Sequence, residues 1–208
     1  MSRFESCIFT FPKTIAVTSY TSIPPDRAFA IAQLINSSPI LKKSPLTRGT
    51  GQWAYKTRDI GRCSDDLTLA LPEDVIERLT FVPIPPSKAR DHAEYDDRMR
   101  RICEGIDDEV DARDLVYQTQ STRASHENDD RVTVDELMEV YAIDEALCDP
   151  PPTAIAIVDD VITAGTHFRA MSDTLRARFP NAQIIGLFIA RRVFPDEPAA
   201  AAFGFAPV

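Results

Sequence analysis

Apolar residues along the chain form short, nearly continuous runs that alternate with segments of helical period. The runs predict four strands, at residues 79–84, 114–119, 155–158 and 183–190. The segments between them predict helices at residues 92–106, at a capping box that begins at Thr133, and at residues 166–179. Nearly continuous apolar strands separated by helices are typical of a parallel sheet covered on both faces. The predicted fold class is therefore α/β, with a Rossmann-like parallel sheet flanked by helices.

The first third of the chain has a less regular pattern. Residues 4–20 are rich in β-branched and aromatic residues, and they predict one or two strands with a break at Pro12. A helix is expected after Pro24, and residues 37–66 are interpreted as loop-like. A short helix is expected to begin at Leu71 and to reach Leu79.

These patterns suggest one structural domain with an elaborated core. We interpret residues 76–194 as the core and residues 120–150 as an insertion into it. Residues 1–75 are interpreted as an N-terminal elaboration packed on the core, and residues 195–208 as a tail. The elaboration and the insertion are the expected sources of a hood over the sheet.

Composition and charge narrow the functional classes. The chain of 208 residues has a net charge of −9, and residues 91–150 contain nineteen acidic residues against six basic ones. Such a surface repels nucleic acid phosphates, although a small basic pocket for one phosphorylated ligand is compatible with it. No apolar run approaches the roughly 18–20 residues that span a bilayer, and the start lacks a signal-peptide layout. We therefore expect a cytoplasmic protein that contacts neither membrane nor nucleic acid as its main partner.

The most informative segment is IAIVDDVITAGTHF, residues 155–168. An apolar strand ends in Asp159 and Asp160, and a turn of small residues then leads directly into a helix. The amides of such a turn and the helix N-terminus can hold a phosphate, and Gly165 allows close approach. The two carboxylates can accept hydrogen bonds from the neighbouring hydroxyls of a ribose, or they can bind a hydrated Mg²⁺. Together they describe a 5-phosphoribosyl site.

This segment resembles the signature of the type I phosphoribosyltransferases, which bind phosphoribosyl pyrophosphate (PRPP). The resemblance implies that Asp159 and Asp160 are catalytic, binding the ribose hydroxyls and, indirectly, Mg²⁺. It implies that the 5′-phosphate is bound by the turn residues Thr163, Ala164, Gly165, Thr166 and His167. Two residues depart from the family pattern: Ala164 replaces a common second threonine, and His167 replaces a threonine that often closes the loop. A histidine can still donate to phosphate, in a way that depends on pH.

A second, shorter match is FVPIPPSKAR, residues 81–90, which lies where that family places its pyrophosphate loop. The resemblance implies that Ser87, Lys88 and Arg90 bind pyrophosphate, with Lys88 as a third catalytic residue. Lysine would act as a point charge and arginine as a bidentate fork. The alternative is a proline-rich loop whose lysine and arginine are merely solvated.

Within the family, the chain is most similar to the competence-associated (ComF-like) phosphoribosyltransferases, over roughly residues 79–192. It lacks their N-terminal zinc ribbon, and residues 91–98 replace their basic segment after the first strand. The resemblance implies transfer of a phosphoribosyl group from Mg²⁺–PRPP to a nitrogen acceptor, with release of pyrophosphate, by a homodimer. Two alternatives stay open: a non-catalytic module that senses PRPP or a nucleotide through a protein partner, and a nucleotide-targeting effector of a bacterial cassette.

Overall fold

The computed structural model describes residues 3–9, 51–122 and 132–193. The described strands are β1 (Arg3–Phe9), β2 (Thr80–Pro83), β3 (Asp111–Ala112), β4 (Val116–Gln118), β5 (Tyr141–Ile143), β6 (Ala154–Ile162) and β7 (Gln183–Val193). The described helices are α1 (Gly51–Ala70), α2 (Glu73–Ile76), α3 (Arg98–Glu104), α4 (Val134–Val140) and α5 (Thr166–Arg178), with a 3-10 turn at Glu145–Leu147. None of the helices in these ranges is long and apolar enough to cross a bilayer.

The main sheet has five strands in the order β1-β7-β6-β2-β3. Strands β7, β6, β2 and β3 are parallel, and β1 pairs with β7 in the antiparallel direction at one edge. A separate antiparallel pair is formed by β4 and β5. The predicted α/β class, a parallel sheet flanked by helices, is confirmed at this level.

Buried side chains cover the sheet on both faces. On β6, Ala156 and Val158 belong to a core cluster that also contains Ile60 of α1 and Ile102 of α3. The alternate residues of β6, Ile155 and Ile157, belong to a second cluster with the buried face of α5 and with β4, α4 and β5. Because successive strand side chains point to opposite faces, the sheet separates an α1/α3 layer from an α5 layer.

The prediction that residues 37–66 are loop-like is wrong from residue 51 onward. Residues 51–70 form the helix α1, and its Ile60, Cys63 and Leu67 are buried in the core. These apolar residues recur at intervals of three and four, as a helix face requires. The many charged residues around them, together with Gly61, obscured that period in the sequence.

Two further element predictions need correction. The run at residues 114–119 does form a strand, β4, but it pairs with β5 outside the parallel sheet. The strand beside β2 is instead the two-residue β3. The helix expected at residues 92–106 is shorter, because regular structure begins only at Arg98, after the irregular residues 91–97.

Other predictions are confirmed. Thr133 accepts a hydrogen bond from the Glu136 amide, and the Glu136 carboxylate accepts one from the Thr133 amide, which completes the capping box of α4. The strands over residues 155–158 and 183–190 are present in the longer strands β6 and β7, and α5 lies where a helix was expected. The helix after Pro24, residues 123–131 of the insertion and the tail lie outside the described residues.

Candidate functional site

The carboxyl edge of the sheet brings two of the predicted binding segments together. Strand β2 ends at Pro83, which pairs with Val158, and the Ile84 amide donates to the Val158 carbonyl at 2.9 Å. Strand β6 continues to Ile162 beside β7 alone. Asp159 and Asp160 therefore lie just beyond the last residue of β6 that pairs with β2. The loop after β2 and the turn after β6 leave the sheet at this edge, where ligands of parallel α/β sheets bind.

The two aspartates face opposite sides of the sheet. Asp160 continues the row of Ala156 and Val158, which faces the α1/α3 layer, and Asp159 continues the row of Ile155 and Ile157, which faces the α5 layer. Strand alternation therefore gives adjacent carboxylates different neighbours.

Asp160 is buried and held by Arg98. Its Oδ2 atom accepts from Arg98 Nη2 at 2.8 Å and Nε at 3.3 Å, and its Oδ1 accepts from the Val161 amide at 2.7 Å. Burial alone would raise the pKa of Asp160. The charge and hydrogen bonds of Arg98 outweigh that effect and hold the pKa below its usual range. Asp160 is therefore an ionised carboxylate within an ion pair.

The ion pair extends into the α1/α3 layer. Asp96 accepts from Arg98 Nη1 at 2.7 Å through Oδ2, and from Lys56 Nζ at 2.7 Å through Oδ1. Lys56 is only 3% exposed and Asp96 only 8%. Lys56, Asp96, Arg98 and Asp160 thus form a row of alternating charges, here called the ionic row. Burial would raise the pKa of Asp96, but the two cations lower it.

Asp159 has different surroundings. Its Oδ1 accepts from the Asp160 amide at 2.8 Å. Burial, and next the negative charge of Asp160, raise the pKa of Asp159 well above its usual range. Asp159 is the aspartate of the pair that resists ionisation until a cation or a hydrogen-bond donor comes near it.

Tyr141 of β5 and His167 of α5 lie on this same side. The Tyr141 hydroxyl and His167 Nδ1 are 3.1 Å apart. Burial and the charge of Asp159 raise the pKa of Tyr141, so its hydroxyl stays protonated. A protonated phenol can donate to Nδ1 when the imidazole proton is on Nε2. The predicted phosphate turn is therefore connected to the β4–β5 pair.

The turn after β6 has the backbone conformation that its glycine suggested. Gly165 has φ of +77° and directly precedes α5. A Cβ atom at this position would approach nothing closer than Ile162 Cδ1, at 3.9 Å, so the backbone conformation rather than space requires glycine. Thr163 and Ala164 are exposed, and Thr166 opens the helix. The N-terminus of a helix of this length favours an anion through its dipole.

The loop after β2 is hydrogen-bonded to the segment that follows β4. The Ser87 carbonyl accepts from the Thr122 amide at 2.8 Å, and the Ala89 amide donates to Ser121 Oγ at 3.1 Å. Lys88 lies half-buried between these two bonds. Ser87 and Lys88 therefore lie at the same edge of the sheet as the aspartates.

Arg90 points toward the β4–β5 pair. Its guanidinium donates to Asp144 Oδ2 at 2.8 Å and to the Asp114 carbonyl at 3.2 Å, and it lies 4.6 Å from the centre of the Tyr117 ring. The sequence predicts that Arg90 binds pyrophosphate. In the structure its guanidinium is engaged by side chains and backbone of the same chain.

Two residues of the site were not predicted as such. Lys56 lay in the segment interpreted as a loop, and Tyr141 was not assigned a role. Arg98 begins a helix near the predicted pyrophosphate loop, where contact with Mg²⁺ or pyrophosphate is the alternative to an ordinary residue of the first helical turn. The period of Ile60, Cys63 and Leu67 is the signal that could have placed Lys56 on a helix. We find no local signal in the sequence for Tyr141.

At this edge of the sheet, the residue that suits a Mg²⁺ ion is Asp159. Among the described residues, no group of three or more His, Cys, Asp or Glu side chains is arranged to hold a metal ion. Mg²⁺ commonly binds through one or two carboxylates together with substrate phosphates and water. Asp159 suits that role, whereas both oxygens of Asp160 already accept hydrogen bonds.

Comparison of the chain with models of known protein families gave no match, and neither did comparison with curated proteins. The resemblance to phosphoribosyltransferases therefore depends on the residues of the two segments and on their placement at one edge of the sheet.

Proposed function

We propose that the protein binds Mg²⁺–PRPP at the carboxyl edge of its sheet and transfers the phosphoribosyl group to a nitrogen acceptor. One observation carries the proposal. An acidic pair on β6 is followed, at the same edge, by a left-handed glycine that opens the 13-residue helix α5. A phosphoribosyl group requires a carboxylate that accepts hydrogen bonds from its two ribose hydroxyls, next to backbone amides that bind its phosphate. On this proposal the Rossmann-like sheet is a phosphoribosyltransferase fold.

Each segment has a role in this proposal. The turn at residues 163–167 binds the 5′-phosphate through backbone amides, and Asp159 accepts hydrogen bonds from the ribose hydroxyls. The loop with Ser87 and Lys88 follows β2, the strand that pairs with β6, and would bind the pyrophosphate attached to C1 of the ribose. When bound, Mg²⁺ would supply charge neutralisation to the leaving pyrophosphate.

The proposed transfer breaks the bond between C1 and the pyrophosphate oxygen, and the electron pair leaves with pyrophosphate. The lone pair of the acceptor nitrogen forms the new bond to C1, and the proton of that nitrogen passes to solvent. The protein contributes position and electrostatic stabilisation rather than a covalent intermediate.

Calorimetric titration of Mg²⁺–PRPP into the protein tests the proposal. We expect micromolar binding by the wild type and a loss of at least about tenfold in Asp159→Asn, because a charge-assisted hydrogen bond is removed. Asp74→Asn is the matched control. Asp74 is 70% exposed on α2, which leads into the amino end of β2 rather than its carboxyl end. A folded wild type that does not bind Mg²⁺–PRPP would refute the proposal.

One observation favours a second candidate, a module that binds PRPP or a nucleotide without catalysis. The guanidinium of Arg90 is paired with Asp144 and stacked on Tyr117, which removes one cation from the predicted pyrophosphate loop. Release of pyrophosphate from PRPP on addition of nitrogen heterocycles separates the two candidates. Binding without any release across a broad panel would favour the module.

A further inference from the structure

We infer that Arg98 is a positioning residue that acts through Asp160, so that Asp159 alone of the acidic pair meets the ligand. The inference deepens the proposed function and rests on it. It departs from the expectation that both aspartates bind the ribose.

The directions of the two side chains support this division. Asp160 faces the α1/α3 layer, and its two oxygens accept three hydrogen bonds, from Arg98 Nη2, Arg98 Nε and the Val161 amide. Asp159 faces the α5 layer, the side on which Tyr141 meets His167 at the start of α5. A ribose whose phosphate lies at that turn would therefore meet Asp159.

The charges of the ionic row also support this division between Asp159 and Asp160. The four members of the ionic row carry two positive and two negative charges, which cancel. Of the two strand carboxylates, only Asp159 is outside this row. PRPP is strongly anionic, and an uncompensated second carboxylate at this edge would repel it. Arg98 removes that repulsion by pairing with Asp160 at 2.8 Å.

Arg98 has 30% of its side chain exposed, so a direct contact between Arg98 and the ligand is the competing explanation. The two explanations make opposite predictions for a second substitution. If Arg98 acts through Asp160, removing the charge of Asp160 compensates for the loss of Arg98. If Arg98 touches the ligand, the second substitution restores nothing.

The experiment measures Mg²⁺–PRPP affinity by calorimetry for Arg98→Met, for Arg98→Met/Asp160→Asn and for Arg98→Met/Asp159→Asn. We expect Arg98→Met to lose at least about tenfold in affinity. The Asp160→Asn double variant should recover most of that loss, and the matched Asp159→Asn double variant should not. Affinity is measured on variants that thermal melts show to be folded at the titration temperature, so a recovered affinity does not reflect recovered folding.

Equal weakness of the two double variants would overturn the inference while leaving the proposed function intact. A wild type that does not bind would refute the proposed function itself. Thermal melts check folding, because Arg98→Met leaves Asp160 buried without its cation. If that single variant does not fold, the affinity of the Arg98→Met/Asp160→Asn protein is compared with that of the wild type instead. Affinity within about fivefold of wild type supports the inference, and a loss as large as that of Asp159→Asn overturns it.

Discussion

Replacing Lys56 with methionine tests whether α1 is joined to the candidate site through the ionic row. The ammonium group of Lys56 is 2.7 Å from Asp96 Oδ1, and both side chains are more than nine-tenths buried. Methionine fills a similar volume without charge. The substitution therefore removes one buried cation and leaves Asp96 to Arg98 alone.

The expected cost follows from burial. Breaking a buried ion pair by removing one partner costs about 3–5 kcal/mol, because the remaining charge stays buried without compensation. Asp96 keeps hydrogen bonds from the Arg98 guanidinium at 2.7 Å and from the Arg98 amide at 3.2 Å. We therefore expect the lower end, about 3 kcal/mol. For a chain of this length that corresponds to a fall in Tm of roughly 6–12 °C.

Urea and thermal unfolding of Lys56→Met measure this cost, and Arg78→Met is the matched control. The Arg78–Asp74 pair is equally short, at 2.6 Å, but its two side chains are 68% and 70% exposed. An exposed pair of this kind contributes only about 0.3–0.5 kcal/mol. Equal, small effects of the two substitutions would refute the assignment of Lys56 to a buried row.

Two further predictions concern the strand tip and the turn. Asp159→Asn should raise the Tm at neutral pH. Because the folded-state pKa of Asp159 is raised, its favourable contribution is present below about pH 4 and is lost as the pH rises through the folded pKa. Melts from pH 4 to 8 check this, and a difference from wild type that does not grow with pH would contradict it. Gly165→Ala should cost about 1–2 kcal/mol in urea unfolding, because alanine is strained at φ of +77°. A neutral effect would contradict that conformation.

The strand, turn and helix of residues 154–178 could be predicted because their signals are local. Four apolar residues, two carboxylates, a glycine and a helix start follow one another within residues 155–166. Each needs only its near neighbours to adopt its structure. The capping box of Thr133 and Glu136 is local in the same sense, and it too was predicted correctly.

The remainder of the candidate site consists of contacts between residues that are far apart in the sequence. Lys56 meets Asp96 across 40 residues, Arg98 meets Asp160 across 62, and Tyr141 meets His167 across 26. No spacing rule connects such residues before the fold is known. The pairing of β4 could not be predicted for the same reason, because strand propensity does not specify which other strand it will pair with.

Strand geometry also explains why the two aspartates have different surroundings, although an acidic pair in a sequence suggests two equivalent ligands. Two consecutive side chains can converge on one diol only where the backbone has left the extended conformation. Here β6 stays paired with β7 beyond both aspartates, since Val161 pairs with Ala190 and Ile162 with Arg191. The pairing keeps Asp159 and Asp160 on opposite faces, and a cation on α3 then meets one of them. The asymmetry of the pair therefore follows from the length of β6.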